Sequence, residues 1–139
     1  VGLGGTGRGE VAPYSDLDLM FLVPDKGHDA CAGRIAATLD LMWESGLKIG
    51  HSVRDRDELL ALCASDISVR TAFLESRWIW GDQALFDEAQ AAFERKFVGR
   101  GDRDFVAAKM AERDARHRRM GDSRYLVEPN VKDGKGGLR

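Results

Sequence analysis

The stretch VGLGGTGRGEVAPYSDLDLMFLV, residues 1–23, contains an apolar lead-in, a cluster of glycines, a short helical piece and then a strand that carries two carboxylates. Residues 16–23 begin with strict acidic–apolar alternation and end as a continuous apolar block, which is typical of a strand buried on both faces at its far end. Successive side chains of a strand point to opposite faces. The pattern therefore predicts that Asp16 and Asp18 share one face and aim at one point.

Two carboxylates in this arrangement suit a hard divalent cation. Mg²⁺ takes one or two carboxylates, keeps several waters and completes its shell with phosphate oxygens of a substrate. Held in this way, the ion bridges the phosphates of a nucleotide and neutralises developing charge. A bare Asp-x-Asp also matches by accident, as a polar strand edge, so the residues alone leave both interpretations open.

The glycine cluster favours the functional interpretation. Four glycines precede the strand: Gly4, Gly5, Gly7 and Gly9. Glycine admits positive φ and lets a phosphate approach bare backbone N–H groups. Ser15 offers a hydroxyl that can cap a helix or bind a phosphate oxygen. A flexible glycine turn is the alternative, and the Walker pattern GxxxxGK[ST] is absent.

Three separated segments resemble a known family. Gly-Gly, a short spacer and Asp-x-Asp on an apolar strand resemble the nucleotidyltransferase superfamily related to DNA polymerase beta. In finer detail, GGTGRGEVAPYSDLDLMFLV, LKIGHSVRDRDE and DSRYLVEPNVKDGKGGLR resemble, in this order, the bacterial PII uridylyltransferase/uridylyl-removing enzymes. The resemblance extends from residue 4 to residue 139.

The resemblance implies an enzyme that transfers UMP from UTP to a tyrosine of the nitrogen-signalling PII protein and releases pyrophosphate. Asp16 and Asp18 would be the catalytic residues that hold Mg²⁺. The residues expected to bind the nucleotide phosphates are Gly4, Gly5, Arg8, Ser15, Ser52, Arg54, Lys132 and Lys135. A related nucleotidyltransferase with another acceptor, and a nucleotide-sensing module that lost the chemistry, remain the alternatives.

The general base stays unassigned. Many relatives place a third carboxylate on the neighbouring strand, but none stands on the face of Ser52, and Asp55 is the nearest acid. His51 could accept the proton, although a lone strand histidine is more often structural.

The remaining pattern predicts an α/β fold. A helix that begins at a capping Asp29 and ends near residue 45 joins the first strand to a second at residues 47–53, a β–α–β unit. Helices follow at 56–64, 66–80, 83–98 and 102–120, with Asp66 or Ser68 and then Asp82 as N-caps. We expect a partial nucleotidyltransferase core with a small mixed sheet at residues 1–55, and a helical region with a basic C-terminal segment at 56–139.

Composition indicates an ordinary globular protein, with 139 residues, 43% of them hydrophobic. The sequence shows no membrane-length apolar run and no zinc-like spacing. Cys31 and Cys63 are expected to be buried free thiols. We expect a cytoplasmic protein without a nucleic-acid or membrane partner. We also expect it to be part of a longer protein and inactive alone.

Charge is distributed unevenly along the chain. Residues 1–94 hold 8 Lys and Arg against 16 Asp and Glu, whereas residues 95–139 hold 13 against 7. The basic part is suited to a triphosphate or an acidic partner. Solvated helix faces account for it equally well.

Overall fold

The computed structural model describes residues 1–11, 15–99, 102–119 and 121. It divides into two compact units, Val1–Val98 and Gly99–Arg139. The first unit contains the sheet and five helices, and the second contains one described helix. The fold is α/β, as predicted.

Two parallel strands form the sheet of the first unit. Strand β1 spans Leu17–Leu22 and strand β2 spans Ile49–Arg54, and they pair in register from Leu17–Ile49 to Leu22–Arg54. Helix α2, His28–Glu44, connects them, because parallel neighbours need a crossover connection. The predicted β–α–β unit is thereby confirmed.

The first three residues lie along β1. Gly2 makes isolated antiparallel bridges with Leu19 on one side and with Arg77 on the other. Met20 N also donates to Val1 O at 2.9 Å. The next residues form helix α1, Gly4–Arg8. The glycines are therefore themselves the helix, whereas the sequence predicted a glycine turn before a helical piece.

Three helices supply the core around β1. They are α3 at Arg56–Ser65, α4 at Ile67–Leu74 and α5 at Gln83–Phe97. The buried cluster consists of Met20, Leu59, Cys63, Phe73, Phe86, Ala89 and Phe93. The ring of Phe73 meets Phe93 edge-on with centroids 5.1 Å apart, a favoured geometry for aromatic pairs.

Helix caps confirm some predicted boundaries and correct others. Asp66 and Asp82 cap α4 and α5 by accepting backbone N–H groups of the first turn. Asp29 does not cap α2, because that helix already begins at His28 after Gly27. Helix α4 ends at Leu74, not near residue 80, because Arg77 N donates to Gly2 O at 3.0 Å and backbone paired in this way cannot be helical.

The second unit contains helix α6, Asp102–Arg119, with four basic residues in its last turn. Glu112 accepts from Lys109 at 2.6 Å and lies 3.6 Å from Arg116. Part of its positive charge is therefore neutralised within the helix.

Both cysteines are free thiols. Cys63 is 0% exposed, as predicted, whereas Cys31 is only half-buried. Across the described helices, no segment has the length and apolar character needed to cross a membrane.

Candidate functional site

Asp18 lies between two backbone positions that carry no side chain. It pairs in register with Gly50 on β2, and a Cβ placed on Gly50 would lie 3.0 Å from Asp18 Oδ1. A Cβ on Gly4 would lie 3.4 Å from Asp18 Oδ2. Gly4 also has φ +51°, a left-handed conformation that favours glycine. The carboxylate is therefore flanked by bare backbone of α1 and β2.

Hydrogen bonds hold α1 against this part of β1. Asp18 N donates to Thr6 Oγ1 at 3.1 Å, and Leu3 N donates to Asp18 O at 2.9 Å. Thr6 is 7% exposed, and a buried hydroxyl needs such a partner. The glycine helix and the acidic strand are thus one local structure, although twelve residues separate Thr6 from Asp18.

Asp16 and Ser15 precede β1, which begins at Leu17. Both are exposed, and Ser15 Oγ donates to Asp16 O at a long 3.5 Å. The first predicted acid therefore lies just outside the strand, while the second lies within it. Their joint action on one ion remains a prediction.

Arg8 is engaged by two carboxylates. Its guanidinium contacts Glu75 at 2.6 Å and Glu10 at 3.1 Å. Hydrogen bonds with Glu10 and then with Glu75 raise the pKa of the guanidinium. A triphosphate that used Arg8 would have to compete with both acids, which the sequence pattern did not indicate.

Arg77 is a residue that the sequence analysis missed. Its Nε donates to Gly7 O at 3.1 Å and its Nη2 donates to Thr6 O at 3.0 Å. It thereby binds two carbonyls at the end of the glycine helix. No local signal could have shown this contact, because the partners are 70 and 71 residues apart.

The predicted residues of β2 lie at increasing distances from Asp18. Ser52 pairs with Met20, on the face of Asp18 and about 7 Å along the strand. Arg54 pairs with Leu22, about 13 Å along the strand, and its Nη1 donates to Val53 O at 2.6 Å. The structure therefore brings Gly4 beside Asp18 and places Ser52 on the same face as Asp18. Gly5 follows Gly4 in α1, and Arg54 lies at the other end of the sheet. Lys132 and Lys135 lie outside the described residues.

His51 lies on the opposite face of the sheet from Asp18. It pairs with Leu19, and neighbouring residues of a strand face opposite ways. Its ring meets Trp43 of α2 edge-on, with centroids 5.9 Å apart. His51 is consequently not placed to accept a proton from a hydroxyl bound beside Asp18.

Asp55 belongs to a second group of polar side chains, with His28 and Glu58, whose ligand atoms lie within 4.8 Å of one another. Asp55 Oδ1 accepts from Glu58 N at 2.9 Å, and Glu58 Oε2 accepts from Asp55 N at 3.2 Å. This reciprocal pair is a capping box for α3. His28 Nε2 lies 3.0 Å from Glu58 Oε2 without hydrogen-bond geometry. The helix cap accounts for the two acids of the group, but not for His28.

Comparison with known proteins covers the whole chain. The sequence profile of the family described as GlnD PII-uridylyltransferase matches residues 104–139. The chain is 52% identical over 139 residues to the bifunctional uridylyltransferase/uridylyl-removing enzyme of Novosphingobium aromaticivorans, covering 100% of the chain. It is 49% identical over 137 residues (99% of the chain) to the enzyme of that name from Erythrobacter litoralis, and 48% identical over 139 residues (100% of the chain) to that from Azospirillum brasilense.

The chain spans 15% of the length of each of these curated relatives. No solved structure matches it.

Proposed function

Because the chain belongs to the family of bifunctional uridylyltransferase/uridylyl-removing enzymes, we propose that it carries nucleotide-transfer chemistry. The reaction is the Mg²⁺-dependent transfer of UMP from UTP to a tyrosine of the PII signal protein, with release of pyrophosphate. UTP and the PII protein are accordingly its proposed partners, and the protein acts in the cytoplasm.

One observation supports this proposal above the others. The carboxylate of Asp18 is exposed and has the bare backbone of Gly4 and of Gly50 on its two sides. A bulky neighbour at either position would occupy the space that a bound ion, its waters and a phosphate oxygen need. The arrangement therefore fits a nucleotide held through a metal.

The residues present suit magnesium. Asp16 and Asp18 offer carboxylate oxygens, the ligand type that Mg²⁺ prefers, and Mg²⁺ sites often use only one or two carboxylates. When bound, the ion supplies charge neutralisation on the phosphates. The contribution of the protein is to keep the two acids at the end of a paired strand, with α1 fixed beside the second of them.

The chain's own groups would orient the triphosphate. Helix α1 begins with Gly4 and Gly5. The first N–H groups of a helix have no intrahelical acceptor, so the N–H groups of these two glycines would donate to phosphate oxygens. Ser15, which directly precedes Asp16, and Ser52, on the same face of the sheet as Asp18, would offer hydroxyl groups to the triphosphate. Lys132 and Lys135 are proposed to add positive charge, and Arg8 contributes if phosphate displaces Glu10 or Glu75. Catalysis on this basis rests on positioning and charge.

A screen of the four labelled nucleoside triphosphates tests the proposal. The intact protein is incubated with each nucleotide, with and without PII protein, in Mg²⁺ or in excess EDTA. We expect label on PII only with UTP and Mg²⁺, together with stoichiometric pyrophosphate. Transfer to another acceptor would indicate a different nucleotidyltransferase. Tight nucleotide binding without pyrophosphate release would indicate a sensing module and contradict the proposed chemistry.

A further inference from the structure

We propose that residues 75–77, here called the strap, position the glycine helix α1 beside Asp18, and that Arg77 is the positioning residue. This inference rests on the proposed function, because it assigns a purpose to the place that α1 occupies. The strap follows α4 and is remote in sequence from the residues it holds.

The backbone of the strap is joined to the residues before α1. Gly2 N donates to Arg77 O at 2.9 Å, and Arg77 N donates to Gly2 O at 3.0 Å. Gly2 also bridges Leu19 of β1. The strap, the start of the chain and the acidic strand are therefore adjacent through two backbone pairings, which defines where the strap can lie.

The side chain of Arg77 extends this link to α1 itself. Its Nε and Nη2 donate to the carbonyls of Gly7 and Thr6, at 3.1 and 3.0 Å. The last carbonyls of a helix have few intrahelical donors. Gly9 N donates to Thr6 O at a long 3.3 Å, so Arg77 adds a second donor to Thr6 O and also binds Gly7 O. Thr6 in turn accepts from Asp18 N through its hydroxyl at 3.1 Å. Arg77 thus acts on the acid through one intervening residue.

The strap also packs against α1 at Gly7. A Cβ on this residue would meet the carbonyl oxygen of Glu75 at 2.3 Å, which no real contact allows. Since the obstructing atom is backbone, the clash could be relieved only by separating α1 from the strap. The absence of a side chain at Gly7 is therefore a condition for this contact, independent of the hydrogen bonds of Arg77.

Because the guanidinium of Arg77 is planar, its positioning role can be distinguished from a simple attraction between its charge and a triphosphate. A guanidinium presents several N–H donors in a rigid fork and reaches two carbonyls together, whereas an ammonium is a compact point charge. If Arg77 acts through charge, Arg77→Lys preserves its effect. If it acts by holding Thr6 and Gly7, the lysine variant fails although its charge is unchanged.

The experiment compares Arg77→Lys, Arg77→Ala and Gly7→Ala in the intact protein. Arg34→Ala and Gly33→Ala are matched controls on α2, where Gly33 has nothing within 4 Å of an added Cβ. We expect all three test variants to lower kcat for nucleotide transfer about 10- to 100-fold, the size of effect that slight misplacement produces, with a smaller change in KM. Amide exchange of residues 3–8 should accelerate in each, and both controls should match the wild type.

Full activity in Arg77→Lys, or unchanged kcat in Gly7→Ala, would overturn the inference. Melting temperature and circular dichroism are measured on every variant, and if Arg77→Ala does not fold, the two milder variants decide. Should the wild type transfer no nucleotide, the proposed function fails by itself. Amide exchange still tests the strap in that case, and unchanged exchange in Gly7→Ala would exclude it.

Discussion

The two faces of the sheet are covered in different ways. The acid face carries Asp18, Met20, Leu22, Gly50, Ser52 and Arg54, and the helix face carries Leu17, Leu19, Phe21, Ile49, His51 and Val53. On the acid face Met20 is 2% exposed within the core cluster. On the helix face α2 buries Leu39, while Trp43, whose ring meets His51, stays 48% exposed.

This difference shows where the chain concentrates its long-range contacts. The acid face is built from α1, α3, α4 and α5 together with the strap, segments that are far apart in sequence. The helix face is covered by the one helix that directly connects the two strands. An acid beside bare backbone can be held accurately only where several elements meet, so the proposed site lies on the more heavily packed side.

The largest effect is expected from a substitution of the proposed metal ligand Asp18 on the acid face. Asp18→Asn removes a negative charge without changing size, so we expect turnover to fall about 10²–10³-fold. Asp40→Asn, at an exposed position of α2, is the matched control and should retain wild-type turnover. Initial rates with saturating nucleotide measure both. If Asp18→Asn keeps more than half of the activity, the metal assignment is wrong.

A second test compares the loss of stability when a buried or an exposed apolar side chain is removed. Phe73 is 3% exposed and contacts two other rings, so Phe73→Ala should lower the free energy of unfolding by about 3–5 kcal/mol. Leu41→Ala, on the exposed side of α2, should change it by less than about 0.5 kcal/mol. Urea unfolding of the 139-residue chain tests the pair. Similar losses would contradict the burial of Phe73 in the core on the acid face.

A third test compares substitutions of two adjacent residues of β2 that lie on opposite faces of the sheet. Gly50→Val places branched carbon atoms against the Asp18 carboxylate, where even a Cβ would lie at 3.0 Å, so we expect about a tenfold loss of turnover, roughly the effect of a displaced catalytic group. His51→Ala changes the opposite face and should leave turnover within about twofold. Magnesium titrations of the rate should show a weaker apparent affinity in Gly50→Val only. Equal effects in both variants would contradict the assignment of faces.

The smallest effect concerns the two thiols. Burial raises the pKa of the Cys63 thiol to about 11, above the roughly 8.5 of an exposed cysteine. The folded state therefore holds this proton more tightly than the unfolded state. Its contribution to stability is complete below about pH 8.5 and is lost as the pH rises towards 11, by about 1–2 kcal/mol at pH 10.

Unfolding free energies measured between pH 7 and pH 10 check this, because Cys63→Ala should show a shallower decline. The half-buried Cys31 is the internal comparison. It should react with a thiol reagent in the native protein, while Cys63 reacts only on unfolding. Equal labelling rates would contradict the difference in burial.

The sequence analysis correctly predicted the features that depend on neighbouring residues. Alternation in residues 16–23 located β1 to within one residue at each end, and Asp66 and Asp82 marked true helix starts, because strand period and capping are local properties. The family was recognisable from three short motifs. The prediction that Asp29 caps α2 was wrong because the helix already begins at His28.

The tertiary structure alone decided what surrounds Asp18. That α4 stops at Leu74, that Arg77 reaches Thr6 and Gly7, that Arg8 is paired with Glu75, and that His51 faces away from the acid all follow from contacts between residues distant along the chain. Strand periodicity and helix caps depend on residues that are close in sequence, whereas such contacts depend on how whole helices and strands pack together. The residues of the proposed site could therefore be predicted from the sequence, and the contacts that surround them could not.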